Sequence, residues 1–127
     1  MATIRTFRDL VAWQKSVALV TGVYQRTRVF PKEEMYGLVS QMRRAAVSIP
    51  SNVAEGFGRH STNEYVRFLQ ISMGSLFELE TQLEIAQNLG YLEPKQYEAL
   101  EEDCREVERI LSALIQGVKR SQASKGH

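Results

Sequence analysis

The chain has 127 residues, 43% of them hydrophobic, a single cysteine and a formal net charge of +1, which sets one domain large enough to bury a core without metal or disulfide support. One thiol excludes an internal disulfide framework and fits a reducing compartment. No apolar run approaches the roughly 20 residues of a membrane span, and Arg5, Arg8 and Asp9 stand where a secretion signal needs an apolar centre, so a cytoplasmic protein with no membrane partner is expected.

No window alternates in the manner of a strand, and the β-branched residues fall at helical spacing. The first predicted helix runs from about Phe7 to Val29, opened by a capping box at Thr6-Phe7-Arg8-Asp9, with Leu10, Trp13, Val17, Val20 and Tyr24 on one face. Phe30-Pro31 ends it, and Pro31 opens a second helix over 32–58, with Glu33 and Glu34 at the positive end of its dipole and Gly56 or Gly58 as its stop. A second capping box, Ser61-Thr62-Asn63-Glu64, starts the third helix, 62–89, whose core face is Tyr65, Phe68, Leu69, Ser72, Leu76, Leu79, Leu83 and Ala86. The fourth, 94–118, begins at Pro94 and presents Leu100, Cys104, Val107, Leu111, Leu114 and Val118, leaving 119–127 as a flexible tail. Short connectors force consecutive helices to reverse direction. The predicted fold is therefore all-α: one domain, 1–127, as an antiparallel up-down-up-down four-helix bundle.

The second helix carries two stripes through a proline. Apolar Leu38, Met42, Ala45, Ala46, Ile49, Val53 and Phe57 recur at steps of three and four, and Gln41, Arg44, Ser48, Ser51, Asn52, Glu55 and Arg59 recur beside them. Because the apolar phase continues past Pro50, the simplest reading is one helix kinked at the proline. The alternative is two helices meeting at Ser48. Small residues gather here and again at Ser72, Gly74 and Ser75. A glycine inside a helix costs about 1 kcal/mol relative to alanine, so Gly74 implies close approach of another backbone, within the chain or from a neighbouring subunit. Arg44, Ser48, Ser51, Asn52, Glu55, Arg59, Gly74, Ser75 and Glu78 are the candidate residues of that contact.

Signals of catalysis are weak. Two histidines, His60 and His127, cannot assemble a helical metal site, Gly56-Phe57-Gly58 lacks the rest of a dinucleotide fingerprint, and Cys104 lies on an apolar stripe. Neither a cofactor nor a metal is expected. Arg44, Asn52, Glu55, Arg59 and His60 are the best catalytic constellation, though Glu55 reads more simply as the partner of Arg59 one turn away. Charge is uneven: residues 1–60 hold nine Lys/Arg against four Asp/Glu, and residues 61–127 hold seven against eleven. Arg5, Arg8, Lys15, Arg26, Arg28 and Arg43 are therefore candidates for a phosphate-tracking surface.

Phe7-Arg8-Asp9-Leu10 with Trp13-Gln14-Lys15, Phe30-Pro31-Lys32-Glu33-Glu34, the run Gln41 to Gly56, and Gly74 to Leu83 closely resemble the bacterial four-helix-bundle proteins encoded in intervening sequences of 23S ribosomal RNA genes. The resemblance covers about Phe7 to Val118. It implies a left-handed bundle that assembles into a homopentamer, with the contact residues between Arg44 and Arg59 and between Gly74 and Glu78 as its oligomer interface, and similarity to the accessory variability determinant of diversity-generating retroelements, a pentameric helper that binds a reverse transcriptase and nucleic acid. The expected function is a non-enzymatic, homo-oligomeric interaction protein with structured RNA or a nucleic-acid enzyme as partner. The alternatives are a nucleic-acid-binding protein proper, acting through the basic first two helices, and, third, a nuclease or hydrolase using Glu55 and His60.

Overall fold

Four α-helices follow one another in the computed structural model, which describes residues 3–125: α1 Val11–Thr27, α2 Leu38–Phe57, α3 Thr62–Asn88 and α4 Pro94–Lys125. No strand occurs among the described residues. Each helix packs on two others, α1 and α3 both meeting α2 and α4, so the apolar stripes close around a shared interior. Met42 and Ile49 from α2, Leu69, Leu76, Leu79 and Leu83 from α3, and Leu111 from α4 are fully buried there. Each such side chain stabilises the fold by about 1.5–3 kcal/mol.

The helix α1 departs from its expected orientation. Its buried residues are Ala12, Ser16, Leu19, Val23 and Thr27, whereas Trp13, Val17 and Val20 are only partly covered and Tyr24 is exposed. The inward hydroxyls cost little, because each donates to a carbonyl one turn back: Ser16 to Ala12 at 2.7 Å and Thr27 to Val23 at 2.8 Å. Small self-satisfied side chains thus let α1 approach the core, and of the expected stripe Leu10 is buried while Trp13 and Val20 pack partly covered against the core edge.

The helix starts also differ from the periodicity. The capping box at Thr6 forms, with Thr6 Oγ1 accepting from the Arg8 N–H at 3.1 Å and the Asp9 carboxylate accepting from the Thr6 and Arg5 N–H groups at 3.0 and 2.8 Å. Those two backbone donors hold the Asp9 carboxyl below its usual range. The box closes only a 3-10 turn, Phe7–Asp9, because Leu10 is extended at φ −75°, ψ 126°. Likewise Pro31 leads into a 3-10 turn, Lys32–Glu34, and α2 begins at Leu38. The Glu34 side chain takes over there, accepting from the Leu38 N–H at 3.4 Å and from the Tyr91 hydroxyl at 2.8 Å.

Pro50 lies inside a continuous α2, so a division into two helices at Ser48 does not occur. Ser51 donates to the Val47 carbonyl and Asn52 to the Ser48 carbonyl, both at 2.8 Å, on either side of the missing proline N–H. Gly58 is the C-cap of α2. Gly56 is instead a buried packing position: a Cβ there would meet the Phe68 Cβ at 2.8 Å. Ser61 caps α3 by accepting from the Glu64 N–H at 3.0 Å. Gly90, at φ +80°, turns the chain after α3. Beyond Val118 the helix α4 runs on to Lys125, since Lys119 to Lys125 contains no helix-stopping residue.

Candidate docking face

Trp13, Val17, Val20 and Thr21 of α1 and Val47, Pro50, Ser51 and Ala54 of α2 line an open recess of about 330 Å³. Apart from two hydroxyls its lining is apolar. Trp13 is fixed in place by an edge-on contact with Phe7, ring centroids 5.3 Å apart. Farther along the same seam a second recess, about 450 Å³, is lined by Tyr24, Met35, Tyr36, Val39, Ser40, Arg43, Arg44 and Val47. Arg43 lies over the Tyr24 ring at 4.5 Å and its Nε donates to Thr27 Oγ1 at 3.0 Å. Tyr36 is 96% exposed. The two recesses share Val47, giving α1 and α2 a groove whose apolar half passes into a basic, aromatic half.

A second apolar surface lies on α3, out of phase with its core stripe. Ile71, Phe77, Ile85 and Leu89 are 42%, 49%, 43% and 55% exposed. With Gly74 and Thr81 between them they fall at three- and four-residue steps, a spacing that puts them along the outer side of the helix. Gly74 has nothing within 4 Å of where its Cβ would be. The close backbone approach that its presence implies is therefore not made within this chain. Gly56, which reads in the sequence as a stop, is where such an approach occurs.

Between these surfaces runs the α2–α3 seam. Ser48 and Ser75 share a hydrogen bond at 2.8 Å, the Asn52 amide donates to Ser48 Oγ at 2.9 Å, and Ser72 donates to the Ile49 carbonyl at 2.7 Å. The structure thus joins Ser48, Asn52 and Ser75 within one chain. Arg44 and Glu78 flank the same seam across a recess of about 360 Å³, and neither has an ion-pair partner among the described residues. Ser51 lies in the α1–α2 groove. Glu55 binds Arg59 at 2.8 Å, and Arg59 stacks over Phe68 at 4.7 Å.

The groups considered for catalysis are not brought together. Arg44 stands fifteen residues before Arg59, about 22 Å along the helical rise. Asn52 is engaged with Ser48 and Glu55 with Arg59. Cys104 is buried, which pushes its thiol well above the ordinary range, with Glu80 and Asp103 adding to the effect. The basic candidates separate likewise. Arg5, Arg8 and Lys15 sit at the start of α1, Arg8 over the Phe7 ring and Lys15 paired with Glu106 at 3.5 Å. Arg26, Arg28 and Arg43 lie toward its other end, with Arg26 about 16 Å from Lys15 by helical rise. No helix among the described residues is long and apolar enough to cross a membrane.

Ile71, Phe77, Ile85 and Leu89 are absent from the interface expected from sequence. Their signal was present as large apolar residues recurring off the core phase of α3.

Over residues 8–113 the chain matches the family described as 23S rRNA-intervening sequence protein. A solved structure, a protein of unknown function from the S23 ribosomal protein family of Bacteroides thetaiotaomicron, is similar with a TM-score of 0.77 at 22% identity, covering 84% of this chain and 96% of that one. At that identity the likeness shows the fold. No curated protein matches.

Proposed function

The chain belongs to the 23S rRNA-intervening sequence protein family, and from that premise we propose that it acts as a non-enzymatic interaction protein that assembles with copies of itself into a ring. One observation carries the reading: Trp13, Val17 and Val20 of α1 are only partly buried, Trp13 and Val20 against the edge of the core, and they line an open apolar groove with Val47, Pro50 and Ala54. Apolar area removed from water stabilises by about 25 cal/mol per Å², so a groove of this make-up gains from being covered. Contiguous exposed apolar surface is the mark of an interaction site. The chain has a second such surface on α3, and the two are unlike. A self-contact between unlike surfaces repeats head to tail and gives a ring when its rotation closes. The ring size of five follows from the family resemblance. Light scattering at micromolar concentration is the test. A mass near five chains of 14.5 kDa each supports it, and a monomer contradicts it.

A polyanionic partner, structured RNA or the nucleic acid held by an enzyme, is the second reading. It is favoured by Arg8 over Phe7 and Arg59 over Phe68, guanidinium groups held on aromatic faces, the second of which also donates to Glu55. Affinity for duplex RNA should then fall steeply with salt, and Arg8→Ala with Arg59→Ala should reduce the slope of that dependence by about two ions. Binding that ignores salt removes this reading.

A further inference from the structure

We propose that α3 of one copy lies along the α1–α2 groove of the next at equal height, with Gly74 at the contact and Glu78 facing Arg44. This pairing rests on the ring reading above and names the two surfaces that meet.

Rotation about an axis parallel to the helices leaves height unchanged, so two surfaces that meet in such a ring must match level by level. Contacts inside the chain fix the levels. Ser48 bonds Ser75 and Ile49 bonds Ser72, which sets the apolar part of the groove, around Val47 and Pro50, level with Ile71 and Gly74. Arg44 and Glu78 flank one recess and are therefore level too. Glu34 bonds Tyr91 at 2.8 Å, which brings Met35 and Tyr36 level with Leu89. At all three heights the characters agree: apolar groove against apolar ridge, cation against anion, exposed aromatic against exposed leucine.

Charge supports a second copy as the occupant. From residue 68 to 88, α3 has no Lys or Arg and carries Glu78 toward the α2–α3 seam, whereas the groove is lined by Arg43 and Arg44. Opposite fields on two surfaces of one chain draw copies together and disfavour like-on-like pairing. Gly74 supplies the steric part. Its missing Cβ serves nothing within the chain, and on the outer ridge of α3 it lets a neighbouring helix come close.

Two substitutions at glycines with equal room separate the proposal from a general effect on the fold. Gly74 and Gly117 both have nothing within 4 Å of a built Cβ, so leucine at either place leaves the monomer intact, which the helical circular-dichroism signal verifies. Gly74→Leu should raise the concentration at half-assembly by about tenfold or more, while Gly117→Leu leaves it unchanged. Arg44→Glu and Glu78→Arg should each weaken assembly, and the double variant should recover it. A wild-type assembly of full mass that Gly74→Leu leaves unaltered overturns the pairing while keeping the ring. Failure of the double charge swap to recover assembly overturns it as well. A monomeric wild type defeats the ring itself.

Discussion

The Ser72 hydroxyl donates a 2.7 Å hydrogen bond to the Ile49 carbonyl, joining α3 to α2 at the residue just before Pro50. Proline has no N–H to give to the turn before it, and the neighbouring turns are held by side chains instead: Ser51 to Val47 and Asn52 to Ser48 within α2, and Ser72 from across the seam. Ser72→Ala should therefore destabilise the fold by about 1 kcal/mol, a typical net value for a buried hydrogen bond. Urea unfolding checks it through a lower midpoint at unchanged slope. An unaltered midpoint would remove Ser72 from the account of how α2 stays whole.

Gly56 and Gly117 should respond to alanine with opposite sign. At Gly56 the new methyl meets the Phe68 Cβ at 2.8 Å and Tyr65 Cδ1 at 3.1 Å, an overpacking that costs about 1–3 kcal/mol. At Gly117 there is open space, and the helical preference of alanine should add up to about 1 kcal/mol. Thermal melts of the two variants decide this, and equal shifts in one direction would contradict the packing described.

The difference between these glycines explains how much of the fold was legible from the residues alone. Periodicity located α3 and the start of α4, because their core stripes repeat without interruption. It could not tell Gly56 from Gly58, since which glycine touches another helix is a tertiary fact. The late start of α2 has the same origin: Glu34 is held by Tyr91, 57 residues away. On α1 hydrophobicity points the bulky stripe inward, whereas self-satisfied Ser16 and Thr27 lie deepest and Trp13 and Val20 pack only partly covered against the core. Of the expected interface residues, Ser48, Asn52 and Ser75 bind one another within the chain, while the outer ridge of α3 is masked in the sequence by the stronger core stripe beside it.

Glu80 has its carboxyl held above the ordinary value of 4.5, first by burial and then by Glu108 and Glu101. Its folded form thus binds a proton more readily than its unfolded form. Stability then falls as pH rises from the ordinary carboxylate range through the raised value, and the penalty persists at neutral pH. Glu80→Gln should equal or exceed the wild type in stability at pH 7, with the advantage shrinking as pH is lowered toward 4.5. Urea midpoints across that window test it. An advantage that grows on acidification has the wrong sign for this account.

Cys104 is fully buried and its thiol is pushed above the usual range, so the nucleophilic thiolate is suppressed and access is blocked. A chromogenic disulfide reagent should react only at the rate of unfolding and fully in denaturant. Rapid reaction of the native chain would show that the core around α4 opens.

Trp13 is the only tryptophan in the chain and lines the α1–α2 groove, so its exposure reports directly on whether another copy covers that surface. Iodide quenching of its emission, followed through a dilution series alongside the mass, is the most direct measurement. The account predicts weak quenching in the assembled protein and a marked rise at the concentration where the mass falls. Quenching that stays constant while the mass changes would show that copies meet elsewhere and that the groove is not their contact.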